Sequence, residues 1–378
     1  MHRLQFHYTL SHDSSPATVR NPLMDLLQAV ASAGSISGAA RALGLSYRHV
    51  WGELKRWEQE LGHELIVWEK GQAARLTAFA AKLMWAERQA QARLAPQIDA
   101  LRAELERTFA VAFDDQAHVV TLYASHDDAL LALREHALAL GESATLGPLH
   151  LDIRFVGSVD AIRALNEGRC VMAGFHTLDG CHARSATARA YKPLLQPGLH
   201  KIIGFARRTQ GLMVAPGNPL NLCTLHDLAR RPARFANRAF GSGTRVVLDD
   251  LLTQAGLTAE NLQGYDHSEP SHAAVAHAVA AGQCDAGLGI AAAARHAGLD
   301  FVPLASELYH LVCLKSALSQ PGMRALLQLL KTPAWQNEVS NIAGHVALHC
   351  GEVLSLRKVL PWWDYRQKKH RDIDKKCL

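Results

Sequence analysis

Gly241-Ser-Gly-Thr-Arg245 is the run whose residue types come nearest to chemistry. Its two glycines let the backbone approach a guest closely, its hydroxyls donate, and the amides opening the predicted helix after it point at an anion. Arg238 or Arg245 supplies the countercharge, so a small oxyanion or carboxylate is the natural guest. Alone, such a loop is as often a plain turn and helix cap. It becomes a ligand site when other polar groups face it. Ser125, His126 and Asp127, Ser158, and His176 each fall at the end of a predicted strand, and Ser271 caps a predicted helix. His126, Asp127, the loop and Cys284 can also be assembled on paper into catalytic groups, which keeps a non-regulatory cytosolic enzyme, or a simple ligand-binding protein, as the rival reading. No nucleophile elbow, nucleotide loop or metal motif supports an enzyme, so no catalytic residue and no cofactor is assigned. The 7 cysteines are scattered without a Cys-x-x-Cys pair, and the 21 histidines offer no His-x-x-x-His on a predicted helix; no metal site is expected.

A second constellation lies near the other end of the chain. Leu23, Leu26, Leu27 and Val30 recur at helical spacing until Gly34; Ser35 then caps a helix carrying Ile36, Ala39, Ala40 and Leu43, and Gly44-Leu45 closes it. Ser46 caps a third helix in which Val50, Leu54, Trp57 and Leu61 make one inward stripe. The opposite face carries Arg48, His49, Glu53 and Arg56, with Tyr47 at its start and Lys55 nearby. Two short helices joined by a Gly-containing turn form a helix-turn-helix, whose second helix reads base edges in the major groove. Tyr47, Arg48 and His49 are the base-reading candidates; Ser35, Ser46, Lys55 and Arg56 complete the expected contacts with double-stranded DNA. Glu64 to Glu69, a turn at Lys70-Gly71-Gln72, and Ala74 to Thr77 read as a two-stranded wing.

Several elements must position these groups. The expected organisation is a winged helix-turn-helix over residues 1–77, a linker and dimerisation helix over 78–108, a periplasmic-binding-protein-like effector domain over 118–345, and a basic C-terminal extension over 346–378. Leu83, Ala90, Leu94, Ile98, Leu101 and Leu105 resemble a coiled-coil seam, in which Pro96 is expected to kink or split the helix. A homodimer, or a tetramer built from it, follows. In the body, strands are predicted at Val119–Tyr123, Leu151–Val156, Cys170–Phe175, Ala233–Asn237, Asp285–Leu288 and Phe301–Leu304, alternating with helices. Two crossing strands, near Ile202–Val214 and Leu308–Leu314, join two α/β lobes into a clamshell. The expected fold class is α+β multidomain: an all-α winged helix-turn-helix head, a long linker helix, and a two-lobed α/β domain whose order of segments resembles a type II periplasmic-binding-protein-like domain. At 378 residues with 48% hydrophobic and 20% charged, the chain is expected to fold throughout. Its net charge of +5 permits a polyanionic partner without demanding one. Met1 to Arg20 lacks the apolar core of a signal peptide and no stretch is apolar enough to span a bilayer, so a cytoplasmic protein with no membrane partner is expected.

The run from Gly34 through Ser46-Tyr-Arg-His-Val-Trp51 resembles the head of the ModE family of molybdate-responsive regulators, with Arg48 where that family often has Lys. It is more loosely similar to LysR-type regulators, which share the Gly-Ser-x-x-x-Ala-Ala pattern. Asn237 to Arg245, Ser271 to Ala276, Asp285 to Gly289 and Gly298 to Leu304 resemble the periplasmic-binding-protein-like domain found beside such heads. The resemblance implies a DNA-binding transcriptional regulator. Molybdate or tungstate is then one effector; formate, or a compound related to the molybdenum cofactor, fits equally, because ModE regulators sense molybdate through a different C-terminal module. Control of molybdoenzyme genes such as formate dehydrogenase is the corresponding expectation.

Overall fold

The Asn21 side chain accepts the Leu23 amide at 2.9 Å and Pro22 stands at the first helical position, so in this computed structural model α1 (Pro22–Ala33) starts where its cap and proline dictate. The structure describes residues 21–67, 73–113, 118–140 and 148–363, which divide between Ala95 and Pro96 into two units. Met1 to Arg20, the wing turn at Lys70-Gly71-Gln72 and residues 364–378 lie outside the described residues.

In the first unit, Gly34 takes a left-handed φ of 61° and ends α1, and Ser35 opens α2 (Ile36–Ala42). Ser46 opens α3 (Tyr47–Leu61). Val50 and Leu54 are buried with Leu26, Leu27, Val30 and Ala39, while Trp57 and Leu61 pack half-buried against that core. Strands β1 (Ile66–Val67) and β2 (Arg75–Leu76) pair antiparallel, so the head is not all-α: its wing adds a small sheet. The long helix α4 (Ala78–Phe113) runs through Pro96 without a break. A proline removes a single helical N–H, and the Ala, Leu, Arg, Glu and Gln around it keep the rest of the ladder, so the expected split does not occur. Ala80 and Met84 are buried in the head core and Leu83 packs against it. Leu83 therefore belongs to the head and drops out of the expected seam.

The second unit holds β3 (His118–Ala124), α5 (Asp128–Leu140), β4 (Leu149–Phe155), α6 (Ser158–Asn166), β5 (Met172–Leu178) and α7 (Ala186–Tyr191). It continues with β6 (His200–Val214), α8 (Leu225–Arg230), β7 (Phe235–Arg238), α9 (Gly243–Gln254), β8 (Ser268–Glu269), α10 (His272–Ala280), β9 (Ala286–Ile290) and α11 (Ala291–His296). It closes with β10 (Asp300–Leu314), α12 (Pro321–Lys331), α13 (Pro333–Asn341), β11 (His345–Ala347), β12 (Val353–Leu354) and α14 (Leu356–Val359). The sheet order is β4-β3-β5-β10-β6-β9-β7-β8. Strands β3, β4 and β5 pair parallel in one lobe, as do β7, β8 and β9 in the other. Between them β6 and β10 pair antiparallel from His200↔Leu314 to Val214↔Asp300, and these are the two crossing strands.

Strand β10 corrects one expectation, because Phe301–Leu304 and Leu308–Leu314 are parts of a single strand. The proline and the polar Ser306-Glu307 pair read as a break. Instead, register shifts at Pro303/Ala305 and Tyr309/His310 absorb them, since a bulge leaves a residue without a ladder partner. Apolar cores lie on both faces of each lobe: Leu122, Leu130, Leu326 and Trp335 beside Ile162, Phe175 and Tyr191 in one, Leu212, Phe235 and Leu252 beside Val275 and Val279 in the other. The segment following 345 packs on the body, with β11 and β12 paired to β6 and with Leu356, Leu360 and Trp362 in the core.

Candidate effector site and nucleic-acid interface

Loops leaving the parallel strands carry polar groups to one mouth because strand carboxyl ends and helix starts meet there. Ser125 follows β3 and Ser158 opens α6; their Oγ atoms lie 3.1 Å apart, and Ser158 is fully buried. His176, on β5, is also fully buried, stacks on Tyr309 at 4.0 Å between centroids, and has neither ring nitrogen hydrogen-bonded. Burial, with Arg208 nearby, holds its pKa well below the ordinary value, so the ring is neutral. From the other lobe comes the loop 241–244. Gly241 takes φ +79°, a conformation that favours glycine, and Ser242 caps α9 by accepting the Arg245 amide at 3.3 Å. A Cβ on Gly243 would stand 2.5 Å from His176 Nδ1 and 2.9 Å from Ser158 Oγ, so only glycine fits this approach. The structure thus brings Ser125, Ser158, His176 and the 241–244 loop together.

The floor is made by the crossing strands, and sequence reasoning missed it. Arg208 and Gln210 on β6 and Glu307 and Tyr309 on β10 are buried. Gln210 Nε2 donates to Thr244 Oγ1 at 3.2 Å and to Glu307 Oε1 at 3.0 Å, while His272 Nε2 lies 3.4 Å from Thr244 Oγ1. The signal was partial: Arg208-x-Gln210 puts a polar pair on one face of the strand predicted at Ile202–Val214, whereas Glu307 falls just before the strand predicted at Leu308–Leu314 and its partner across the sheet has no local mark.

Asp127 takes another part. It accepts from Arg208, from the Ala129 amide at 2.8 Å and from His345 Nε2 at 3.2 Å. Its burial opposes ionisation, yet His345 and Arg208 hold the carboxyl well below its usual range. An anion beside it would meet like charge. Arg208 donates to Asp127 and Glu307, so its charge is answered. Arg238 is different: 3% exposed, it has no hydrogen-bond partner for Nε, and its Nη1 makes a long 3.4 Å bond to the Glu269 carbonyl. Burial and Arg208 push its pKa down to about 9, and the Glu269 carboxylate, which pulls it up, only partly offsets them. Its field also reaches half-buried His126, whose pKa burial lowers to about 4, and buried His272. Arg245 is engaged elsewhere, 3.8 Å over the Tyr265 ring and 3.7 Å from Asp266. Ser271 caps α10, accepting the Ala274 amide at 3.0 Å. A cavity of about 280 Å³ borders Arg207, Tyr309 and His310 on the crossing strands together with His349 and Lys358 from the segment beyond β11, and none of the sequence-predicted site residues lines it.

Cys284 is 2% exposed and its pKa is raised by burial, with its Sγ 3.5 Å from His267 Nδ1. A buried thiol held protonated is a poor nucleophile.

On the head, Ser35 accepts the Gly38 amide at 3.0 Å and Ser46 the His49 amide at 3.2 Å. Tyr47, Arg48 and His49 stand exposed at the start of α3. Tyr47 stacks on Trp51 at 6.5 Å, and Lys55 lies 4.9 Å over the same indole. Lys55 and Arg56 pair with Glu58 at 2.6 Å and Glu53 at 2.5 Å, in exposed pairs that contribute little and that a phosphate can replace.

A helix-turn-helix with a wing, and a body of two α/β lobes joined by crossing strands, define the class of two-part architecture to which the chain conforms. Residues 141–331, half of the chain, match the PBP superfamily domain, and residues 23–81 match the bacterial regulatory helix-turn-helix proteins of the lysR family. The chain belongs to the PBP superfamily, and its head is similar to the helix-turn-helix of the lysR family. The looser of the two resemblances seen in the head is the one that the match supports. Among relatives, the uncharacterized protein YvgK of Bacillus subtilis (strain 168) is 31% identical over 201 residues, 53% of this chain and 64% of that protein, so the chain spans just under two thirds of it. An uncharacterized protein in the ferredoxin 2Fe-2S gene 5′ region of Clostridium pasteurianum is 26% identical over 29% of this chain and 98% of its own length. Among solved structures, a mutant of full-length BenM covers 84% of this chain and 95% of its own at 16% identity and TM-score 0.42. The LysR-family regulator CbnR covers 81% and 98% at 17% identity and TM-score 0.39. No helix among the described residues is long and apolar enough to cross a membrane.

Proposed function

We propose that this protein is a cytoplasmic DNA-binding transcriptional regulator whose two-lobed domain binds a small anion and thereby controls promoter occupancy. The anion is an oxyanion or carboxylate, with molybdate, tungstate, formate and molybdenum-cofactor-related compounds as the first to test, and molybdoenzyme genes as the corresponding targets. One observation carries the effector reading. At the start of α9, a fully buried His176 with two unpartnered ring nitrogens meets an N-terminal amide cluster, and a buried Arg238 lacks full countercharge close by. Unpaired buried polar groups cost about 1–3 kcal/mol each, and a guest that accepts from Arg238, Ser125, Ser158 and the α9 amides relieves that cost. The Ser242 hydroxyl uses a lone pair as the cap and retains its proton to donate.

Calorimetric titration of the full chain with molybdate, tungstate, sulfate and formate tests the reading, beside Ser242→Asp. A fixed carboxylate at the loop places like charge against the anion and weakens binding on the order of a hundredfold. Equal affinities for the two proteins would reduce the loop to a helix cap.

A further inference from the structure

Helix α9 serves both lobes. Its Leu248 and Leu252 lie in the core shared with Phe235 and Leu288, while Val247 lies in the opposite lobe's core with Ile162 and Phe175. One turn further on, buried Asp250 receives the amides of Ala186 and Thr187 and the Thr187 hydroxyl, which open α7 in that opposite lobe; the Thr187 amide bond is 3.0 Å. The first turn of α9 makes the same crossing, because the Gly241 carbonyl accepts the Val159 amide at 3.5 Å and a Cβ on Gly157 would stand 2.8 Å from that oxygen. The lobes are therefore closed on each other, and one carboxylate that bonds to none of the groups proposed to touch a guest gathers three hydrogen bonds across them. We propose that Asp250 is a positioning residue for effector binding: with Thr187 it clasps the lobes shut and so presents the 241–244 loop to Ser158 and His176. This rests on the effector reading given above.

The physical consequence is a population shift. A guest bound between two lobes has affinity for the closed form, and the measured affinity falls with the fraction of molecules that are closed. Three donors converging on one buried carboxylate favour closure, because opening leaves Thr187 and Asp250 to be rehydrated together. Loss of the clasp lowers the closed fraction without removing any group that contacts the anion, and a guest already bound escapes faster.

The test uses the full chain as wild type, Asp250→Asn, Thr187→Val and the conservative Thr187→Ser. Without ligand, hydrogen exchange is read at residues 157–159 and 241–243, none of which contacts Asp250. Exchange there is expected to quicken in Asp250→Asn and Thr187→Val and to return to wild-type rates in Thr187→Ser. With molybdate and formate as probes, affinity is expected to fall about tenfold through faster dissociation. Unchanged exchange at both loops in Thr187→Val would overturn the clasp even if Asp250→Asn does not fold. Unchanged affinity in a variant whose wild type binds a probe would overturn its link to the effector. A wild type that binds neither probe would count against the effector reading, while the exchange rates still decide whether the clasp exists.

Discussion

His345 and Asp127 show how a residue remote in sequence conditions the site. His345 is 3% exposed and its burial opposes protonation, yet the Asp127 carboxylate more than offsets this and holds its pKa above the ordinary 6.5. A raised folded pKa means that the pair's contribution is full below pH 6.5 and is lost as pH rises through the folded value. Asp127 works the other way: its depressed pKa keeps its contribution present above 3.8 and loses it as pH falls. The melting-temperature difference between wild type and His345→Gln is therefore expected to be widest between the ordinary carboxyl and imidazole values of 3.8 and 6.5 and to narrow as pH rises beyond the latter. A gap that widens with rising pH would contradict the pairing. Residues whose role is local were legible beforehand: Ser35, Ser46 and Ser271 cap the helices their neighbours implied, because a cap needs only the next three residues. Arg208, Glu307 and His345 were not, since their meaning depends on strand register across about a hundred residues of intervening chain or more, which periodicity does not encode.

At the scale of elements, the two crossing strands were legible because each is long, apolar and bounded by loop signals. The joining of β10 through Pro303 was not, because a bulge is a tertiary solution to a local defect. Short elements such as α7, β11 and β12 escaped for a related reason: they exist through what they pair with, as β11 and β12 do with β6. Helix α4 raises the question of assembly. Leu101 on it is 59% exposed, a large apolar side chain that a partner helix would cover. The chain is expected to sediment as a dimer, or as a tetramer built from two such dimers, and Leu101→Asp to shift it towards monomer by introducing a charge into the seam. Identical sedimentation of wild type and variant at micromolar concentration would place the dimer contact on another surface.

For the whole molecule, the proposal joins two kinds of recognition in one chain. The head offers exposed Tyr47, Arg48 and His49 at the start of a helix, the arrangement by which base edges are read, and the body offers buried polar groups gathered where its two lobes meet. A two-fold protein reads two half-sites, and their spacing is a geometric consequence of the dimer. Arg48 and Arg56 stand on the exposed face of α3, so replacing both with Ala is expected to weaken DNA binding while leaving the Val50 and Leu54 packing intact. Loss of a base-reading arginine costs about 1–3 kcal/mol and loss of a phosphate contact lowers the salt slope by about one.

The most direct test is selection from a pool of random duplex DNA by the full chain and by the Arg48→Ala/Arg56→Ala variant, at fixed salt. Wild type is expected to enrich one sequence with two half-sites in dyad symmetry, and the variant to enrich none. Pools that emerge alike from both proteins, or that show no enrichment with wild type, would contradict the assignment of this chain as a sequence-reading regulator.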